Sequence, residues 1–336
     1  MSLLSIVLPA YNEEQNIANT AKVLGELLEQ HGIDYELVFI SDGSKDGTFE
    51  RIKEESARNP RVRGAEFSRN FGKEAGIFVL PMPFLIDGNP YLEDIDLTQS
   101  EFYKHLEKKD TSVSTSQPSI GDLSDFWNDI LKTHDEILHI PMSSGLSQSC
   151  ATATALAKDF GGKVHVVNNQ RISITQKESV FDAKKLLERG KNAAEIKDYL
   201  EATKLDSSIY IAVDTMKYLK KGGRVTPAAA AIGSILKIKP VLQIQGDKLD
   251  KFALARSLSK AKEIMKEAIR KDLNVRFKSL VEEGEMTISV AHTNNYGEAD
   301  IFVTELKEMF PDIPFRFSDP LSLSVACHIG PGALAV

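Results

Sequence analysis

Apolar and polar positions along the chain switch between two periods, and the switches mark the elements. Ser5-Ile6-Val7-Leu8 is a short apolar run that reads as a strand. Asn12 and Glu14 then give a helix-start signal, and Ile17, Ala21, Leu24, Leu27 and Leu28 recur at the spacing of one helical face. Tyr35 to Ile40 predicts a second strand, Thr48 to Ser56 a second helix, and Val62 to Phe67 a third strand. Strand and helix in alternation imply parallel strands joined by helical crossovers.

Beyond residue 77 the pattern changes. Phe78 to Ile86 reads as a strand broken by Pro81 and Pro83, which suggests an edge or a bulge because proline cannot donate to a ladder. Asp87-Gly88-Asn89-Pro90 is a turn, and Thr98 with Glu101 forms the capping box of a helix. Asp94-Ile95-Asp96 is read as a turn ahead of that helix. Another helix starts near Pro118 or Ser119. Ile137 to Pro141 and Lys163 to Val167 are strands, with a helix expected from Leu146 to Asp159 between them. This stretch is expected to be a three-layer α/β domain.

In the last third, Ile209 to Val213, Pro240 to Gln245 and Met286 to Ala291 read as strands. A long helix carries Leu258, Ala261, Met265, Ile269 and Leu273 between the last two. Longer, irregular connections here predict an α+β domain, with a boundary near Leu205 to Ser208. The expected organisation is α/β: an incomplete parallel fragment over 1–77, an α/β domain over 78–206 and an α+β domain over 207–336.

Composition removes several classes. The 336 residues suffice for two or three cored domains, and 42% hydrophobic with 26% charged residues is ordinary for a globular protein. A formal net charge of −7 argues against nucleic-acid binding. Lys217, Lys220, Lys221 and Arg224 form a local basic group, read as a solvated helix end. Cys150 and Cys327 sit in no metal-ligand spacing and are expected as buried thiols. No apolar run approaches the ~20 residues of a membrane span. With no basic leader ahead of Glu13-Glu14, the chain reads as cytoplasmic.

Several hydroxyl and imidazole side chains stand where they could recognise an anion. Ser143 and Ser144 precede the expected Leu146–Asp159 helix, whose free N–H groups and dipole would favour an anion. Thr115 precedes another helix start, and His328 lies beside Gly330 and Gly332. Helix N-capping is the plain alternative for Thr115 and Ser144, and a structural imidazole the alternative for His328. No Gly-x-Ser-x-Gly elbow surrounds Ser144, so a serine hydrolase is not indicated. Arg224 after paired glycines is by default an exposed cation.

From about residue 78 to 336 the chain resembles the DegV family of bacterial fatty-acid-binding proteins. The resemblance is carried, in order, by Pro83-Phe84-Leu85-Ile86-Asp87-Gly88, Thr115-Ser116-Gln117-Pro118-Ser119, Ser143-Ser144-Gly145-Leu146-Ser147, Tyr218 to Arg224, and His328-Ile329-Gly330-Pro331-Gly332. It implies a bound long-chain fatty acid and no further cofactor, with Thr115, Ser143, Ser144 and His328 around the carboxylate at a domain boundary. It also implies a carrier rather than an enzyme, presenting the acid to a separate fatty acid kinase. Arg224 and, more weakly, Arg171 are the candidates for contacting that partner. The run Ile174-Thr175-Gln176-Lys177 departs from the glycine-rich sequence of many family members. An acyl tunnel along Ala228–Leu236, Ile238 and Val241 is more safely read as core.

The family's first strand and helix are missing. In their place, residues 1 to about 76 resemble the start of a family-2 glycosyltransferase, through Pro9-Ala10-Tyr11-Asn12-Glu13-Glu14, Asp42-Gly43-Ser44 and Ser68-Arg69-Asn70-Phe71-Gly72-Lys73. That resemblance implies a vestigial nucleotide site at Pro9, Tyr11, Glu13 and Asp42. The metal-holding acidic pair and general base that such an enzyme needs do not follow, so glycosyl transfer is the alternative function and no metal is expected. The join at Gly76-Ile77-Phe78-Val79 has no linker and cuts both families inside their folds, as in a chimera. The Ser5–Leu8 strand and its helix are the candidates to fill the vacant position.

Overall fold

Three short strands and two helices account for the first part of the chain. The computed structural model describes residues 4–10, 13–41, 46–66, 77–93, 95–106, 108, 111–232 and 238–336. They fall into two compact units, Met1–Val79 and Leu80–Val336.

In the first unit, β1 (Leu4–Ala10), α1 (Ile17–Gln30), β2 (Tyr35–Ser41), α2 (Thr48–Arg58) and β3 (Val62–Glu66) follow the expected alternation. The sheet is parallel, in the order β1-β2-β3, with Leu8 opposite Phe39. Both helices share one core with the sheet, built on Ile17, Ala21, Tyr35, Leu37, Phe39, Ile52 and Val62. The buried stripe of α1 is Ile17, Ala21, Gly25 and Leu28, while Leu27, expected on it, is 50% exposed. Among the described residues, the Ser5–Leu8 strand is thus the outer strand of a sheet made from residues 4–66.

The second unit opens with β4 (Phe84–Ile86) and β5 (Asn89–Tyr91). Asp87 and Gly88 both have positive φ, 50° and 84°, the geometry of a two-residue hairpin turn that an Asp-Gly pair favours. Strand pairing begins only after the two prolines, but β4 is central, not an edge: it pairs with β5 on one side and with β6 (Val113–Thr115) on the other. Between them runs α3 (Gln99–Leu106), whose Thr98–Glu101 capping box forms as expected.

Next come α4 (Ile120–Leu131), capped by Ser119 and Asp122, then β7 (Ile137–His139), α5 (Ser149–Leu156), β8 (Val164–Val166), α6 (Ile174–Glu188) and α7 (Ala193–Ala202). β7 and β8 pair in parallel. Trp127, Ile130 and Ala153 cover one face of this pair, while Ala183, Ile196 and Leu200 cover the other with Leu138. Those are the three layers that the apolar pattern predicts.

The remainder comprises β9 (Ile209–Ala212), α8 (Lys217–Gly222), α9 (Pro227–Ala230), β10 (Lys239–Ile244), β11 (Asp250–Ala255), α10 (Leu258–Lys271), α11 (Lys278–Glu282), β12 (Ile288–His292), α12 (Tyr296–Met309), β13 (Phe315–Pro320), α13 (Leu323–Ile329) and β14 (Leu334–Ala335). A six-stranded mixed sheet, β11-β10-β9-β14-β12-β13, is formed entirely by this stretch. Alternation along β9 sends Tyr210 and Ala212 to one core, with Met265 and Phe302 from α10 and α12. Ile211 and Val213 go to the other, with Leu219, Leu249 and Ile329. Cys150 and Cys327 are free and buried, as expected. No helix among the described residues is long and apolar enough to cross a membrane.

Candidate functional site: a polar mouth on an apolar channel

Thr115 and His328 lie 213 positions apart, and packing brings them together. Phe84, Ile86 and Val113 of the small sheet share a core with Phe102 of α3 and with Leu323, Ala326 and Cys327 of α13. Phe84 and Phe102 meet edge to face at 5.5 Å, which fixes helix against sheet. Thr115 ends β6, His328 is near the end of α13, and Thr115 Oγ1 stands 2.8 Å from His328 Nε2.

The Nδ1 edge of the imidazole rests on Gly222, the last residue of α8. A Cβ at position 222 would run into His328 Nδ1, so only glycine leaves room for the ring there. Arg224 follows. It is half-buried, its Nε donates to the Leu146 carbonyl at 3.4 Å, and its Nη1 donates to the Gly222 carbonyl. Burial, reinforced by the Arg224 charge, pushes the His328 pKa down to about 4. At neutral pH the imidazole is therefore uncharged, and Arg224 supplies the positive charge of the trio.

These three side chains open onto a cavity of about 390 Å³, whose apolar wall includes Met82, Met142, Leu146 and Leu219. Ile172, Leu249, Val325 and Ile329 line it too, and the same four residues line a second chamber of about 430 Å³. The two chambers therefore share a wall, the collar made by those four side chains. Each volume lies in the range of small-molecule sites, and a few polar groups on an apolar wall are what such sites present.

Ser143 and Ser144 stand differently from the expectation. The helix begins at Ser149, and residues 144–146 form a turn before it. Ser143 is 1% exposed, its N–H donates to the Arg171 carbonyl, and its hydroxyl donates to the Asp247 carbonyl at 2.9 Å. Those ties hold it out of helical geometry. Neither serine lines either chamber.

Arg171 is 7% exposed. Its guanidinium donates to Ser179 Oγ and to the Thr203 carbonyl, with Asp182 at 4.0 Å. It is a buried wall of the second chamber and not a surface contact. Ala229 and Ile232 are core, as expected, and the acyl-sized space is walled by other segments. The position of Arg224 in the mouth had no local signal, because it depends on the long-range packing of α8 against α13.

In the first unit, Glu13 Oε2 accepts from Asn16 Nδ2 at 2.6 Å, and its N–H donates to Thr48 Oγ1 at 2.7 Å. Tyr11 and Asp42, two of the expected nucleotide contacts, lie outside the described residues, and for Pro9 only the backbone strand is described. The Ser68–Lys73 motif and residues 233–237 also lie outside them.

A mixed α/β protein whose apolar cavity carries a polar mouth has the make-up of a small-molecule binding protein. The family model described as uncharacterised protein, DegV family, matches residues 64–336, and the glycosyl transferase family 2 model matches residues 5–78. The chain belongs to the DegV family. It is 29% identical over 265 residues to protein DegV of Bacillus subtilis, covering 77% of this chain and 90% of that protein. The crystal structure of that organism's DegV, described as a fatty acid binding protein, aligns with a TM-score of 0.68 at 26% identity, over 80% of this chain and 93% of that one. A stearic-acid-binding protein of Eubacterium ventriosum shares the fold, with a TM-score of 0.71 at 20% identity over 80% and 93% of the two chains.

Proposed function

We propose that this protein binds a long-chain fatty acid and holds its carboxylate for a separate ATP-dependent kinase. The observation that carries the reading is the Thr115–His328 pair, 2.8 Å apart beside Arg224, at the mouth of a chamber with apolar walls. A carboxylate there meets one cation and two neutral hydrogen-bonding groups, which suits a monoanion. Its hydrocarbon tail would pass the collar of Ile172, Leu249, Val325 and Ile329, each buried methylene contributing about 0.8 kcal/mol. Protein DegV of Bacillus subtilis is described as a fatty acid binding protein, which supports the same ligand. The kinase would transfer the γ-phosphoryl group of ATP to a carboxylate oxygen, giving an acyl phosphate and ADP, with this chain as carrier. Ser144 stays a candidate contact that would need the turn at 144–146 to open.

Native mass spectrometry of the purified protein, with organic extraction of retained lipid, tests the reading. Stoichiometric fatty acid is expected, with affinity falling about tenfold to a hundredfold on His328→Ala or Arg224→Ala, as for loss of a hydrogen bond to a charged group. No lipid retained, and none taken up on titration, would overturn it. The second reading, nucleotide-sugar transfer, rests on the match at residues 5–78. Manganese-dependent retention of a nucleotide sugar would favour it.

A further inference from the structure

Building on the acyl-binding reading, we infer that the channel is open at both ends and that its far portal accepts a hydroxyl on the distal end of the chain. ω-Hydroxy fatty acids are then ligands alongside simple ones. The first chamber reaches solvent at exposed Ser116 and Gln148. The second, beyond the shared collar, reaches solvent elsewhere, at exposed Asp206 and Glu285. Between collar and far portal the lining turns polar. Glu178 is paired with Arg316 and accepts from Thr287 Oγ1 at 3.4 Å, and Asp182 stands 4.0 Å from Arg171. The Asp182 and Arg316 side chains are 35% and 32% exposed, so this end is wet as well as charged. Burial raises the pKa of both Glu178 and Asp182, consistent with carboxyls that face a partly desolvated space.

An apolar dead end would leave a terminal hydroxyl without a partner. The cost would be on the order of tenfold to a hundredfold in affinity. Here the hydroxyl meets carboxylates, guanidinium groups and water. A terminal carboxylate is a different case, because Glu178, Asp182, Asp206, Asp272 and Glu285 outnumber Arg171, Lys185 and Arg316 among the charges lining this chamber. The portal therefore selects a neutral oxygen function over a second anion.

Calorimetric titration of the full chain with hexadecanoic, ω-hydroxyhexadecanoic and hexadecanedioic acids tests this. The first two are expected to bind within about threefold of each other, and the diacid at least about tenfold more weakly. Glu178→Leu should weaken only the ω-hydroxy acid, and Glu178→Gln should restore it. Comparing ligands within one protein preparation removes any effect of the variant on folding. Binding of hexadecanoic acid with loss of the ω-hydroxy acid by tenfold or more would overturn the open portal alone. Failure of all three to bind would overturn the acyl reading and the portal with it.

Discussion

Two of the sheets of this protein are finished to different degrees. In the second unit the six-stranded sheet is covered on both faces: Tyr210, Ala212 and Leu334 point into one core, Ile211, Val213 and Ala335 into the other. In the first unit the parallel sheet shares a core with α1 and α2 on one face, and Val7 of β1 remains 62% exposed. Parallel sheets are normally buried on both sides. The sequence of β1 still reads as a strand with two apolar faces, yet residues 4–66 supply helices for only one. Local strand code is thus satisfied by pairing alone, whether or not a second layer covers the strand.

The largest consequence concerns cohesion. Among the described residues, the core of the first unit is built only from residues 6–62. Phe302 is fully buried in the second unit, and Phe302→Ala is expected to cost about 3–5 kcal/mol there. Leu37→Ala, at an equally buried position of the first unit, should cost about 3 kcal/mol and leave fatty-acid affinity unchanged. Hydrogen exchange read by mass spectrometry would show protection lost over residues 80–336 in one variant and over residues 4–66 in the other. Loss of protection across both units in either variant would show that they fold as one cooperative body.

How far the sequence led depends on the range of the interaction involved. Elements set by neighbours were legible: the Thr98–Glu101 cap, the helix start near Ser119, the Asp87-Gly88 turn, and the βαβαβ order of the first unit. The strand Asp250–Ala255 was missed because DKFALA lacks clean alternation; only its pairing with Lys239–Ile244 makes it a strand. The helix expected from Leu146 begins at Ser149, after a turn at 144–146 whose preceding Ser143 is tied to Arg171 and Asp247, residues far along the chain. At the site, motif order pointed to Thr115 and His328, which the structure brings within 2.8 Å of each other. Arg224 reads from its neighbours as an exposed cation, whereas its guanidinium is held by the carbonyls of Leu146 and Gly222.

The next effect is one of pH, and it separates the units again, because the two histidines with the largest depressions are in the second. Burial takes His139 to about 4, and burial with Arg224 takes His328 to about 4, against an ordinary value near 6.5. The unfolded chain therefore binds protons that the folded chain refuses between these values. Stability is complete above about pH 6.5 and is lost as pH falls towards 4, by about 1–3 kcal/mol for the pair after allowing for partial solvation. Glu178 and Asp182, whose pKa values are raised, oppose part of this loss. Trp127 is the sole tryptophan, and its ring lies 5.3 Å from that of His139, so its fluorescence reports this unit. Urea titrations at pH 7 and pH 5 should show the loss, and His139→Gln should flatten it. An unchanged slope in that variant would remove His139 from the account.

The smallest effect is the sharpest test of the comparison itself. Val7 and Val290 are both valines on parallel-paired strands, one 62% exposed and the other fully buried. Burial, not strand propensity, should set the cost of replacing them. Val290→Thr puts a hydroxyl where no water reaches and is expected to destabilise by about 1–3 kcal/mol. Val7→Thr keeps the β-branched shape that suits a strand and exposes the hydroxyl to water, so its effect should stay within about 0.5 kcal/mol. Urea midpoints of the two variants decide the matter. A loss at Val7 comparable to that at Val290 would mean that the open face of the first sheet is covered in solution, and the contrast between the two sheets would disappear.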